Sequence, residues 1–296
     1  MASAQLRDTR RRIESIEATK KITRAMELIA SSRIPKAQAR VEGSKPYTAK
    51  LVEVIENVGG AGGDASHMLL ERREVQTVGL LVITSDRGLA GAYASNIIRM
   101  AERRINELQK GRADVLIYAV GKKAQSYFRY RGYRIERAWL GVTDTPGYGD
   151  ARAIANTVMA AFAERRIDAL EALFTRFQSA LTQVPTHREI LPIKPLEGIE
   201  VGEGPPPVSY EFEPSPGEIL DRLLPRYVEA IIFNMLLEAS ASEHSARRRA
   251  MKAATDNAEE LIKTLTVQAN RARQAEITTA ITEIVGGAEA LKAESK

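Results

Sequence analysis

The chain has 296 residues, with 43 Lys+Arg against 38 Asp+Glu for a formal charge of +5, and it contains no cysteine. That length suffices for one or two domains with a sizeable core, and the missing cysteines exclude disulfides, thiolate metal sites and a catalytic thiol. No run reaches the roughly 18 apolar residues that a bilayer-spanning helix needs, and MASAQLRDTRRRIES lacks the apolar stretch of a secretory signal, so a soluble, cytosol-compatible chain is expected.

The basic excess is localised. Residues 1–40 carry ten Lys/Arg and four Asp/Glu, 41–216 carry 22 of each, and 217–296 carry eleven against twelve. A basic N-terminal arm fits nucleic acid, an anionic membrane surface or an acidic protein partner. From Ala4 to Ser32 there is no Gly or Pro, and Leu6, Ile13, Ile16, Ile22, Met26 and Ile29 form a narrow apolar stripe at helical spacing. Pro35 is expected to interrupt or bend this helix. A continuation resumes near Pro46 and runs to Val58 through Leu51, Val52 and Ile55. GGAGGD at 59–64 reads as a flexible linker.

The middle alternates strand and helix patterns. TVGLLVIT (77–84) predicts a buried strand, SDRGLAG a turn and AYASNIIRMAERRINELQ a helix; DVLIYAVG (114–121) and KKAQSYFRYRG repeat the pair. IERAWLGV (135–142) is a candidate third strand, TPGYGD (145–150) a loop and ARAIANTVMAAFAERR a helix, with strands at 169–177 and 188–193 closing the series. This order predicts a Rossmann-like α/β domain with a mainly parallel sheet. GEGPPP (202–207) is a connector.

From Gly217 to Leu291 only Pro225 breaks a run rich in Ala, Glu, Arg, Lys and Leu. Pro225 should kink or restart the helix. Ile219, Leu223, Val228, Ile231, Ile232, Met235, Leu236 and Ala239 fall at helical spacing, and Leu261 and Leu265 resume it. Ile277, Ile281, Ile284, Ala288 and Leu291 follow the spacing of a coiled-coil seam. About 65 residues at 1.5 Å each would make a rod on the order of 100 Å long. Two amphipathic helices at opposite chain ends predict an antiparallel coiled coil; packing of each on the middle domain is the alternative. Residues 239–258 are small and polar nearly all round, which favours close packing on another helix or an enclosing assembly. The expected division is a helix over 1–58, a linker over 59–76, the α/β domain over 77–209, and a foot with the C-terminal helix over 210–296.

Candidate chemistry is sparse. Ser85–Gly91 could open a phosphate-binding helix N-terminus, but it lacks GxGxxG and the P-loop Lys-Ser/Thr pair, so a tight turn with Asp86 near a cap is the reading adopted. His67, His187 and His244 are too scattered for a metal cluster; His187 reads as an exposed loop residue and His244 as outward-facing or a partner contact. Arg10–Arg12 with Lys20, Lys21 and Arg24, and Arg247–Arg249 with Lys252, form positive collars, either solvated or binding. No active site, cofactor site or metal site emerges. A basic coiled-coil nucleic-acid binder and a nucleotide-dependent α/β enzyme stay open on these residues.

RRRIESIEATKKITRAMELIASSR (10–33), TSDRGLAGAY (84–93), YEFEPSPGEILDRLLPRY (210–227), ASEHSARRRAMKAATDNAEELI (241–262) and NRARQAEITTAITEIVGGAEAL (270–291) closely resemble, in order, segments of the ATP synthase gamma subunit family. The resemblance implies a non-catalytic rotary shaft whose coiled coil turns inside three alpha and three beta subunits. Catalysis would belong to the beta subunits, and the shaft would turn with the c ring of Fo as protons flow. It implies one copy per complex, an epsilon partner, no cofactor and no nucleic acid. It also implies indirect, peripheral attachment to the cell membrane, on the cytoplasmic side of a bacterium. By motif match, Met26, Arg33, Lys36, Arg273, Gln274 and Ile277 would contact the beta and alpha subunits. Tyr210, Phe212 and Glu213 would meet the c ring and epsilon. Ala280 replaces a common Glu, Ala90 a common Cys, and Glu171 a common apolar strand residue, which suggests an exposed face there. The cysteine-bearing insertion of chloroplast forms and a transit peptide are missing.

Overall fold

A computed structural model of the chain describes residues 2–60, 67–193 and 215–294. It divides into two compact units, Ala30–Arg247 and Met1–Ile29 with Arg248–Lys296.

The first unit holds a five-stranded sheet. The strands are β1 (Thr77–Ile83), β2 (Asp114–Val120), β3 (Ile135–Trp139), β4 (Ala169–Phe177) and β5 (Gln183–Leu191), in the order β3-β2-β1-β4-β5. The pairs β2–β3, β1–β2 and β1–β4 are parallel, whereas β4–β5 is antiparallel. The mainly parallel sheet is therefore as expected, with one antiparallel edge strand that starts five residues before the predicted one.

Strand periodicity assigns the two faces. Leu80 and Val82 of β1 point to the face covered by α2 (Tyr93–Lys110) and α3 (Lys122–Tyr130), where Ile97, Ala101, Ile105 and Phe128 are buried. Leu81 and Ile83 point to the other face. There α4 (Tyr148–Ala163) packs with segments of α1 (Ala2–Gly60) and α5 (Pro216–Glu294), including Leu51, Ile55, Leu224, Val228 and Ile232. Each fully buried Leu or Ile contributes about 1.5–3 kcal/mol relative to exposure. Gly79 is demanded by this packing: a Cβ there would stand 2.8 Å from Ile167 Cδ1.

Several local expectations are corrected. Helix α1 runs through Pro35 and Pro46, and α5 through Pro225. A mid-helix proline removes one backbone hydrogen bond and costs about 3 kcal/mol. Pro35 and Pro46 are exposed, so the orphaned carbonyls can reach water, while buried Ile34, Val41, Leu224 and Val228 hold the helices by tertiary packing. TPGYGD is only half loop, because α4 begins at Tyr148 and Asp150 Oδ2 accepts from Gly147 N at 2.8 Å. Residues 61–66 of the linker region and 194–214, with the GEGPPP connector, lie outside the described residues.

The second unit is an antiparallel helix pair. Thr23 Oγ1 meets Thr255 Oγ1 at 2.8 Å, and Lys20 Nζ reaches Glu259 at 3.3 Å. As numbering falls along α1 it rises along α5. On α1 the seam runs through Leu6, Thr9, Ile13, Ile16, Lys20, Thr23 and Glu27, with Met26 also half-buried beside it; on α5 it runs through Met251, Thr255, Ala258, Ile262, Leu265, Ala269, Ala272 and Glu276, with Ala254 also half-buried. Both sets alternate steps of three and four, the spacing of a coiled-coil seam. The stripe expected from the sequence is shifted. Ile22 (61%), Ile29 (54%) and Leu261 (53%) face outward, and the smaller Thr23 and Thr255 occupy the seam. Small seam residues let the helix backbones approach closely.

Candidate functional site

In the first unit, the carboxyl ends of the strands grip the long helices. The connections from β1 and β3 leave toward opposite sides, so the crevice where open α/β sheets bind ligands lies between β1 and β4. Here the small polar segment of α5 fills it. Ser242 Oγ donates to Thr175 O of β4 at 3.2 Å, and Tyr93 OH at the start of α2 donates to Ala239 O at 3.0 Å. Beside them Leu237 and Ala241 of α5 pack on Val41 and Ala37 of α1. The buried run from Ala239 to Ser245, read from the sequence as pointing to an assembly, finds its neighbours inside the chain.

Asp144, in the loop after β3, gathers side chains from both helices. Arg33 Nη1 donates to its Oδ1 at 2.6 Å and its Oδ2 at 2.5 Å. Its carbonyl accepts from Ser240 Oγ at 2.9 Å and lies 3.2 Å from His244 Nε2. Arg40 donates to Pro146 O in the same loop. Burial alone would raise the Asp144 carboxyl, but the bonded Arg33 guanidinium, with His244 and Arg87 beyond it, holds it below the usual carboxylate range. One turn further along α5, Arg247 Nη2 donates to Glu243 Oε1 at 2.5 Å and to Gly88 O at 3.4 Å. Burial pushes the Glu243 carboxyl up against the pull of Arg247. Asp86 ties the turn after β1 to the same region. Its Oδ1 accepts from Lys122 N at 3.0 Å, and its Oδ2 from Thr143 N and Oγ1 at 3.2 and 3.0 Å. It is a cap, as expected, but of α3. What this arrangement does chemically is fix orientation: charge-assisted bonds lock two long helices to the edge of a sheet.

Four readings from the sequence are reversed. His244 is buried rather than outward, and burial lowers its pKa against the attraction of Asp144. Arg247 is buried by its pairing with Glu243, while Arg249 remains exposed. Glu171 is also buried, because Arg104 donates to both of its oxygens at 2.7 Å and His187 Nε2 lies 2.8 Å away. His187 accordingly belongs to β5 and an ion cluster, not to a loop. Asp144, Ser240 and Glu243 were not singled out beforehand; their partners are about 100 residues distant or come from a single helical turn.

In the second unit the register explains the last stretch of α5. Aligned on Thr23 with Thr255, Ala2 at the start of α1 lies opposite Glu276. Protection on α5 ends at Glu276, and Ile277 (52%), Ile281 (56%) and Ile284 (71%) are exposed. They are therefore not a seam with α1, whose continuation would fall on Thr279 and Glu283. Ile277 and Ile284 lie one residue past these seam positions, about 100° round the helix, and Ile281 lies further round still. Arg273 and Gln274 are exposed beside them, Met26 is half-buried, and in the first unit Arg33 is half-buried and Lys36 exposed. Tyr210, Phe212 and Glu213 lie outside the described residues.

Comparison with known proteins agrees with these features. The family model described as ATP synthase matches residues 5–291. The ATP synthase gamma chain of Acidothermus cellulolyticus is 49% identical over 294 residues, covering 98% of each chain. That of Mycolicibacterium smegmatis is 45% identical over 303 residues, again with 98% of each covered. The chain belongs to the ATP synthase gamma chain family. The fold is shared with a chain of the Euglena gracilis mitochondrial ATP synthase, with a TM-score of 0.70 at 17% identity over 99% of this chain and 97% of that one. It is shared too with a chain from the central stalk and c ring of the Tetrahymena thermophila mitochondrial ATP synthase, with a TM-score of 0.60 at 23% identity over 79% of this chain and 99% of that one. As a gamma chain it is a non-catalytic subunit with a rotary coupling role, and the helix pair and the gripping domain acquire a mechanical meaning.

Proposed function

We propose that the chain is the central shaft of a bacterial F1Fo ATP synthase, present as a single copy within a ring of three alpha and three beta subunits. Its foot would join epsilon and the c ring, on the cytoplasmic side of the membrane. Among the described residues no helix is long and apolar enough to cross a bilayer, which fits attachment through other subunits. Functionally, residues 1–58 and 210–296 would form the shaft and foot, 59–76 a connector, and 77–209 the domain outside the ring.

One observation carries the reading: α5 continues past the end of its partner helix, and its apolar side chains Ile277, Ile281 and Ile284 are exposed on a face that α1 does not use. A single helix with an exposed isoleucine row is stable in water only at a cost, and an enclosing apolar collar removes that cost. Arg273 and Gln274 would contact beta-subunit loops, Met26 would contact the same subunits lower on the pair, and Lys36 would meet acidic beta-subunit levers, with Arg33 beside it held on Asp144. Tyr210, Phe212 and Glu213 would form the foot contacts. An asymmetric rod of this kind biases three otherwise equal catalytic partners toward different conformations as it turns. Protons would be the coupling ion.

The test is Lys36→Glu in the assembled complex, read as proton pumping per ATP hydrolysed. The reading expects a lower pumping ratio with an unchanged subunit composition. An unchanged ratio would remove Lys36 from the lever contact.

A further inference from the structure

We propose that the carboxyl edge of β1 and β2 carries a binding site for a small phosphate-bearing ligand with a flat ring, separate from the shaft contacts and independent of them. A cleft of about 520 Å³ opens there between the turn after β1, the start of α2 and the outer face of α3. That volume lies within the usual range of small-molecule sites, roughly 300–1,000 Å³.

The lining sets the ligand's charge. Arg87 and Lys123 line the cleft, and no Asp or Glu does. Asp86, the nearest carboxylate in sequence, is turned to Lys122 N and Thr143. Lys123 makes no ion pair among the described residues, and its Nζ stands 3.7 Å from where a Cβ on Gly88 would be. Arg87 lies 4.0 Å from Asp144, mostly exposed. The N-terminus of α2 opens on the same cleft through Ser95, and its N-cap, Ala92, offers no side-chain acceptor. The Tyr93 amide is taken by Ala90 O, and the amides of Ala94 and Ser95 with the helix dipole favour an anion. An independent observation points the same way. Ser85 lines the cleft and is buried, and its Oγ has no hydrogen-bond partner. A buried hydroxyl left without a partner is costly, and a ligand oxygen would supply one.

The shape of the ligand follows from the opposite wall. Tyr127 and Tyr130 line it from successive positions on one face of α3. The Tyr127 ring meets Phe128 edge-on at 5.5 Å and is half-buried, and the Glu102 carboxylate near its hydroxyl raises its pKa; the ring's outer part lines the cleft. Tyr130 is 88% exposed, an unusual position for an aromatic side chain with no ligand to cover. Two cations, a helix N-terminus and an orphaned hydroxyl suit a phosphate; a pair of tyrosines suits a heteroaromatic ring. A nucleoside phosphate combines both.

The experiment is calorimetric titration of the full chain at low salt with ADP, inorganic phosphate and adenosine. The proposal expects saturable 1:1 binding of ADP, at least tenfold tighter than inorganic phosphate or adenosine. Lys123→Ala should weaken ADP binding at least tenfold with an unchanged melting temperature. Tyr127→Leu should remove the advantage of ADP over phosphate. Ser85→Ala should weaken binding without lowering the melting temperature, since the hydroxyl has no partner in the free chain. Several results overturn the proposal: no saturation by ADP at millimolar concentration, equal affinity for ADP and phosphate, or binding indifferent to Lys123→Ala and Arg87→Ala. So does a short acidic peptide that occupies the cleft while ADP does not.

Discussion

Arg33 of α1 holds both carboxylate oxygens of Asp144, more than a hundred residues away in the loop after β3, at 2.6 and 2.5 Å. Because Asp144 also receives Ser240 from α5 through its carbonyl, one residue of the domain fixes both long helices. In a rotating shaft, that junction is one of the contacts through which a turning force on the domain passes into the helices.

Asp144→Ala should therefore lower the pumping ratio of the assembled enzyme more than it lowers the stability of the chain. The pair is half-exposed, so its loss should cost only about 1–2 kcal/mol by urea unfolding. The exchanged pair Arg33→Asp with Asp144→Arg should recover part of the coupling. A ratio unchanged by Asp144→Ala would separate this contact from force transmission.

Glu171 offers a purely structural contrast. Burial would raise its carboxyl, yet Arg104, and behind it His187, holds it below the ordinary range. A depressed carboxylate stabilises the fold above its unfolded pKa, about 4.3, and the contribution fades as pH falls through the lower folded value. Glu171→Gln should cost roughly 3 kcal/mol at neutral pH by leaving Arg104 without its bidentate partner. It should also flatten the acid limb of the stability curve below about pH 4.3. Replacing Glu171 and Arg104 together by Leu should cost markedly less.

His244 should make the clamp sensitive to mild acid. Burial lowers its folded pKa, with Arg247 and Arg33 adding to the effect and Asp144 opposing it. The unfolded chain therefore takes up a proton first. Stability is full above the unfolded value, about 6.5, and declines as pH falls toward the folded one. His244→Gln should abolish the decline that sets in below about pH 6.5 in urea titrations; Glu243, the other buried titrating group there, changes in the opposite sense as its raised carboxyl ionises.

The two isoleucine-bearing faces of the helix pair can be told apart by one substitution each. Met251 is buried in the seam, whereas Ile281 is exposed. Met251→Asp should lower the stability of the chain by roughly 3 kcal/mol or more, because a charge is buried without a partner. Ile281→Asp should leave the melting temperature of the free chain unchanged and weaken assembly or coupling of the complex. Equal losses of stability from both would mean that the end of α5 has a partner within the chain.

The two long helices and the five strands were readable from residue order, because helical and strand periods are local and each element buries one face. The interruption allowed for at Pro35 and the restart allowed for at Pro225 do not occur, because a local penalty of about 3 kcal/mol is outweighed by burial of Ile34, Val41, Leu224 and Val228. Family membership was legible in long matched segments. The outward placement of Ile277 was not, since its spacing is that of a seam whichever partner covers it.

Periodicity, composition and motif order were enough to establish two amphipathic helices around an α/β sheet and the kinship to a rotary shaft. They could not establish the phase of the helix pair, which puts Thr23 and Thr255 inside and Ile22 outside. Nor could they place Arg33 on Asp144, Arg104 on Glu171, or His244 in the interior. A residue's apolar character is a property of the chain, but which face is covered, and which charge finds a partner, depends on groups that only folding brings within a few ångströms.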